Sequence, residues 1–212
     1  MELYSLIYKE MAYYKKNKKG IIFNCITASA FAMVFFAISN GVINEVLRRL
    51  LVNIGIYFMP LSIIMGNVSS SIMFEEFDNM TDILFSNNMK KSNWIIVKLF
   101  FSVVYGMIIS VIPYLLNLII FKDMIDNILA IQYNMINLGI LIGLIAIFIR
   151  IQPFSIVTIV FQFVSWIIAI CLLSIIDSSC SHVACLLGIL ILYLCNFLLL
   201  TKKETKINIR EK

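Results

Sequence analysis

Residues 99–121 read LFFSVVYGMIISVIPYLLNLIIF, 23 positions without one ionised side chain. As a helix rising about 1.5 Å per residue, such a run crosses the ~30 Å hydrocarbon layer of a bilayer, which needs about 20 residues. Five more charge-free runs of spanning length share the chain, at 20–44, 50–74, 127–149, 151–176 and 178–201. A membrane β-barrel would instead alternate apolar and polar residues along strands of roughly 10 residues. The stretch from Ile140 to Phe148, ILIGLIAIF, does not alternate. The fold class is therefore all-α integral membrane, with six transmembrane helices.

Composition agrees. Hydrophobic residues make up 61% of the chain and charged residues 14%, against roughly 45–50% and about 25% in soluble domains. One core of a 212-residue chain cannot hide that much apolar surface, so the excess faces lipid.

The net charge of +5 is topological rather than a nucleic-acid footprint. With a cytoplasmic N-terminus and six crossings, the inner segments hold Lys9, Lys15, Lys16, Lys18, Lys19, Lys90, Lys91, Lys98, Arg150, Lys202, Lys203, Lys206, Arg210 and Lys212. Only Arg48, Arg49 and Lys122 fall outside. This asymmetry is the positive-inside rule and puts both termini in the cytoplasm. Three parts follow: an amphipathic interfacial segment at 1–19, a six-helix transmembrane domain at 20–200, and a cytoplasmic tail at 201–212.

In the first part Leu3, Ile7, Met11 and Tyr14 recur at helical spacing, with Lys9, Lys15 and Lys16 mostly off the stripe. The pattern suits a short helix lying in the inner interface; the alternative is a charged anchor without defined structure. Ala28-Ser29-Ala30 has the small-x-small form of a signal-peptidase site, yet hydrophobicity continues past it to Ile38, so the first span is read as uncleaved. The spans are expected at 21–39, 54–74, 94–121, 128–149, 153–176 and 183–200, and the outer loop 40–53, with Glu45, Arg48 and Arg49, has room for a short helix.

Several chemistries lack their residues. No G-x-x-x-x-G-K-[ST] phosphate loop occurs, and the six runs carry none of the charged groups that ion-coupled pumps keep at membrane depth. Glu75-Glu76 has the form of the paired glutamates in CAAX-processing membrane proteases, but Asn79 stands where those enzymes have Arg, and His182 lies on the opposite face. With Cys180 and Cys185, His182 makes an incomplete zinc set, and that spacing leaves a disulfide open. No catalytic residue, metal ligand or cofactor-binding residue is assigned, and the chain is not read as an enzyme by itself.

The sizeable inner loop, 75–93, carries the most information. Phe77, Met80, Thr81, Leu84 and Phe85 make an apolar stripe at helical spacing. Glu75, Glu76, Asp78 and Asp82 crowd its beginning, where carboxylates oppose the positive end of the helix dipole. Ser86-Asn87-Asn88 breaks the helix, and Lys90, Lys91, Trp94 and Lys98 mark the chain's return to the bilayer. One reading is a solvated connector with one face on lipid; the other is a docking helix for a soluble partner.

This string, Glu75-Glu76 to Thr81, Ile83-Leu84-Phe85-Ser86, Lys90-Lys91 and Ile95-Ile96-Val97-Lys98, resembles the inner loop of type-2 ABC transporter permeases. The resemblance matches Thr81 to the family's Thr, Lys91 to its Arg and Lys98 to the Lys opening span 3; Met80 and Asn88 depart from its Gly and Pro. It implies that the loop is a coupling helix docking on a separate ATPase subunit, which holds ATP and Mg, and that a second permease subunit completes the transporter. Phe77, Thr81, Leu84 and Phe85 would form the docking face, with Glu75, Glu76, Asp78 and Asp82 at its rim. The small outer loops favour export, and the compact size resembles members that export bacteriocins and other amphipathic peptides. The alternative is a non-transporting immunity or assembly factor that binds a peptide in the bilayer. Localisation is read as the bacterial plasma membrane, from a Lys-, Ile- and Asn-rich composition.

Gly139 and Gly143 form a G-x-x-x-G in the fourth span, a spacing that lets helices approach closely. Pro60 and Pro113 fall inside spans 2 and 3. In a chain stripped of its own cysteines, single cysteines placed within 75–93 and at either terminus are expected to react with an impermeant maleimide from the inner face only. Labelling of 75–93 from outside would overturn this topology.

Overall fold

In lipid a backbone has no water to bond to, so a spanning segment must satisfy its own N–H and C=O groups, and long apolar runs become helices. The structure, a computed structural model, describes residues 3–16, 18–77, 89–120, 128–151 and 179–210. Among these there are six helices and no strand: α1 (Leu3–Lys16), α2 (Lys18–Asn40), α3 (Glu45–Phe77), α4 (Lys91–Ile120), α5 (Ile128–Ile151) and α6 (Ser179–Arg210). Five of them, α2 to α6, are long and apolar enough to cross a membrane. The chain is a multi-pass, all-helical membrane protein. The span expected at 153–176 lies outside the described residues.

Helix boundaries depart most from the sequence reading at the start of α3 and the end of α6. The short helix allowed within 40–53 is not separate: α3 starts at Glu45 and runs unbroken for 33 residues. Asn44 starts it, its side-chain oxygen accepting from the backbone N–H of Val46 at 3.0 Å and of Leu47 at 3.3 Å, the usual role of an N-cap. A Glu45–Arg49 pair at 3.1 Å then braces the first turn. At the other end, α6 does not stop at Leu200; it continues through the polar stretch to Arg210.

Packing is centred on α3, α4 and α5, which touch one another, with α2 against α3 and α4, and α6 against α5. Leu61, Ile64, Val68 and Ile72 of α3, Trp94, Ile95 and Leu99 of α4, and Met135, Leu138, Ile142 and Ile145 of α5 make up the core. The outer helices leave apolar side chains uncovered. On α2 these include Ile22, Phe23, Ile26 and Ile38, and on α6 Leu186, Leu190, Ile191 and Leu198. Such surfaces suit hydrocarbon rather than water.

Between helices in lipid the hydrophobic effect contributes little, and close van der Waals approach takes its place. Both glycines of the G-x-x-x-G sit at that approach. A Cβ on Gly139 would stand 3.0 Å from Ile64 Cδ1 of α3, and one on Gly143 2.5 Å from Leu99 Cδ2 of α4. Gly106 of α4, outside that motif, is as tight and meets more atoms. Its Cβ would meet Ile64 Cδ1 at 2.5 Å, Ile64 Cγ1 at 2.6 Å and Met135 Cε at 3.1 Å.

The three positions predict different outcomes for alanine. Gly106→Ala must displace a fully buried Ile64 and is expected to cost about 1–3 kcal/mol by overpacking. Gly143→Ala is expected to cost less, because the methyl end of Leu99 can swing aside. Gly66 of α3 has nothing within 4 Å of a built Cβ, so Gly66→Ala is expected to be neutral or to gain up to about 1 kcal/mol in helix propensity. Unfolding midpoints in detergent check the order, and equal losses at Gly66 and Gly106 would contradict it.

Candidate functional site

Three short spacings in the sequence converge at one place. Lys9 and Glu10 are neighbours on α1, Ser71 and Glu75 stand at i and i+4 on α3, and Trp94 and Lys98 stand at i and i+4 on α4. Residues four apart share a helix face, so α3 and α4 each present a two-residue polar patch to a common centre. These patches lie at the ends of α3 and α4 that flank residues 78–88.

Lys98 is the hub. Its side chain has no solvent exposure, and an ammonium has three N–H donors and no acceptor. All three are used: Lys98 Nζ donates to Glu10 Oε1, to Ser71 Oγ, and to Glu75 Oε1 at 2.7 Å. Ser71 in turn donates to Glu10 Oε1 at 2.9 Å. Glu75 is equally engaged. Its Oε1 also accepts from Lys9 Nζ at 3.0 Å, and its Oε2 from the indole N–H of Trp94 at 2.9 Å. The Trp94 ring lies beneath the Lys98 ammonium, 5.9 Å away.

Two lysines and two glutamates make the cluster formally neutral. Lys9 keeps a third of its side chain exposed, whereas Glu10, Glu75 and Lys98 are buried. Buried charges are tolerated when paired and hydrogen-bonded, and each missing partner is costly. Here the arrangement ties α1, α3 and α4 together.

Aromatic contacts extend the junction. Tyr14 of α1 lies against Phe101 and Tyr105 of α4, and its hydroxyl is 2.9 Å from Ser102 Oγ. Burial pushes the Tyr14 phenol up, against the lowering effect of the Ser102 bond, and the nearby Glu10 carboxylate pushes it further up. It therefore stays a protonated phenol at neutral pH. Tyr13 packs on Phe74 of α3, and Asn24 of α2 donates to the Tyr105 hydroxyl at 3.1 Å.

The residues singled out from the sequence fall in different places. Glu75, read as a rim residue, and Lys98, read as marking the return to the bilayer, meet inside the protein. Lys98 lies more than a turn inside α4, so at least one ionised group is carried within a helix long enough to span. Lys91 sits in the first turn of α4, its ammonium 5.9 Å over the Phe197 ring of α6. Glu76 and Phe77 end α3, and Asp78, Thr81, Asp82, Leu84 and Phe85 lie outside the described residues. Gly139 and Gly143 belong to the α3–α4–α5 packing and not to the cluster.

Lys9, Glu10, Ser71 and Trp94 are not among the site residues expected from the sequence. Their signal was available in the pairs Ser71-x-x-x-Glu75 and Trp94-x-x-x-Lys98, polar residues recurring at one-turn spacing beside apolar runs. The α1 stripe also turns out differently: Leu6 and Glu10 are buried, whereas Leu3 and Met11 face outward. Elsewhere, Cys185 is a buried free thiol and the His182 ring stands edge-on to Tyr133. Among the described residues no group of His, Cys, Asp and Glu could hold a metal ion.

Comparison of the chain with protein-family models, with curated proteins and with solved structures finds no match.

Removing the hub alone should be far worse than removing the charges together. Lys98→Met leaves the buried Glu10 carboxylate without its cation and Glu75 with only the partly exposed Lys9, and is expected to cost about 3–5 kcal/mol. The triple change Glu10→Leu, Glu75→Leu, Lys98→Met is expected to recover most of that loss. Unfolding midpoints in detergent, compared between the single and triple variants, test this; a triple variant no more stable than the single would refute it.

Proposed function

We propose that this chain is the membrane-spanning permease subunit of an ATP-driven ABC exporter of the type-2 kind, in the bacterial plasma membrane. The observation that carries the reading is the string from Glu75 to Lys98, with Thr81, Lys91 and Lys98 in the positions of a coupling-helix loop. Its two flanks hold Glu75 on α3 and Trp94 and Lys98 on α4, joined by direct hydrogen bonds. A push delivered to such a loop would reach α1, α3 and α4 together, as a permease driven from outside the membrane requires.

On this reading a separate ATPase binds ATP and Mg and docks against Phe77, Thr81, Leu84 and Phe85, with Glu76, Asp78 and Asp82 at the rim. A second permease subunit, identical or different, completes the pore. Both termini face the cytoplasm. The exported substrate is an amphipathic peptide or similar amphiphile entering from the bilayer, where the uncovered apolar faces of α2 and α6 meet lipid.

Affinity capture of the tagged chain from membranes is expected to bring down a P-loop ATPase. The double change Leu84→Asp, Phe85→Asp is expected to reduce that recovery by about tenfold or more, since each buries a carboxylate in an apolar contact. Capture of no ATPase, or protection against a peptide by the chain alone, would favour a peptide-binding immunity or assembly factor instead.

A further inference from the structure

We propose that α1 is a detachable latch, a helix that docks on and leaves the α3–α4 face as one unit while the bundle behind it stays folded. The inference does not depend on the exporter reading, because it concerns only contacts within this chain.

The charges make the first argument. Most ways of dividing a buried ion cluster strand a lone charge, which is what makes buried pairs hard to break. This cluster divides differently along the α1 boundary. Lys9 and Glu10 leave together, carrying no net charge, and Glu75 and Lys98 remain as a pair 2.7 Å apart. Glu75 also keeps the Trp94 N–H, and Lys98 keeps Ser71. The groups that lose partners lie on the face α1 has just uncovered, where water can replace them. A division between α3 and α4 would instead separate Glu75 from Lys98.

The shallow seating of α1 is the second argument. It is a helix of its own, ending at Lys16 before α2 begins at Lys18. Of its residues only Leu6 and Glu10 are buried; the rest of the seat is partly buried, with Ile7 against the core, Lys9 on Glu75, and Tyr13 and Tyr14 against Phe74, Phe101 and Tyr105. By contrast α3 and α4 carry much of the core.

A released α1 also has somewhere to rest. Leu3, Tyr4, Tyr8 and Met11 are already exposed in the docked state, and Lys15 and Lys16 are exposed at its far end. Apolar and aromatic side chains with lysines are the composition of a helix that lies in a membrane interface.

Hydrogen exchange of the full chain in phosphatidylethanolamine–phosphatidylglycerol nanodiscs tests the latch. Amides of α1 are expected to exchange together, about tenfold or more faster than those in the middle of α3 and α4. Glu10→Gln weakens the bond to Lys98 but leaves Glu75–Lys98 in place; it is expected to speed α1 exchange about tenfold further, with α3 and α4 unchanged. Should that variant fail to fold, Tyr14→Phe, which removes only the hydroxyl contact with Ser102, is expected to act in the same selective direction by a few-fold. The latch is refuted if α1 is as protected as α3 and α4, if its amides fray progressively from the N-terminal end, or if either variant speeds α3 and α4 as much as α1.

Discussion

An ammonium group removed from water must find an acceptor for each of its three N–H bonds, and Lys98 imposes that requirement on everything around it. The acceptors come from two other helices: Ser71 and Glu75 from α3, and Glu10 from α1. Each carboxylate brought in must itself be neutralised and bonded, which draws in Lys9 and the Trp94 indole. Rotating α3 by one residue would carry Ser71 and Glu75 off the shared face. The rotational setting of α3 and α4, and the seat of α1, thus follow from one desolvated cation.

Away from this junction the same helices are held by shape. Gly106, Gly139 and Gly143 let α3, α4 and α5 come close enough for Ile64, Leu99 and Val103 to fill the space a side chain would take. Membrane helices gain little by hiding apolar surface from one another, since lipid is as apolar as leucine. Specific approach and specific polar bonds must supply what burial supplies in water. Here glycine-mediated contact joins α3, α4 and α5 while the ion cluster joins α1, α3 and α4, and the two meet on α4 where Leu99, against Gly143, follows Lys98.

The position of the cluster bears on how the proposed exporter subunit would work. A force applied at the flanks of 78–88 meets an ion cluster whose geometry is set by hydrogen bonds, beside the core residues Ile72 and Trp94. Because Glu75 and Lys98 bind each other directly, α3 and α4 would move as a pair. The helix α1 is coupled to them through contacts that can separate without stranding charge.

The amino-acid sequence by itself determined that the chain is helical and crosses a membrane several times. Hydrocarbon thickness and the demand for internal backbone hydrogen bonds leave little choice for charge-free runs of spanning length. Those constraints act along one helix at a time, so local spacing sufficed to read them. Gly139-x-x-x-Gly143 was legible as close packing for the same reason, though not which helix it meets. What only the tertiary structure decided is the meeting of Glu10, Glu75 and Lys98, which are far apart in the chain. Gly106 likewise stood out only once Ile64 and Met135 were seen against it. A pairing between helices depends on their relative rotation and depth, and no periodicity within a single helix encodes either.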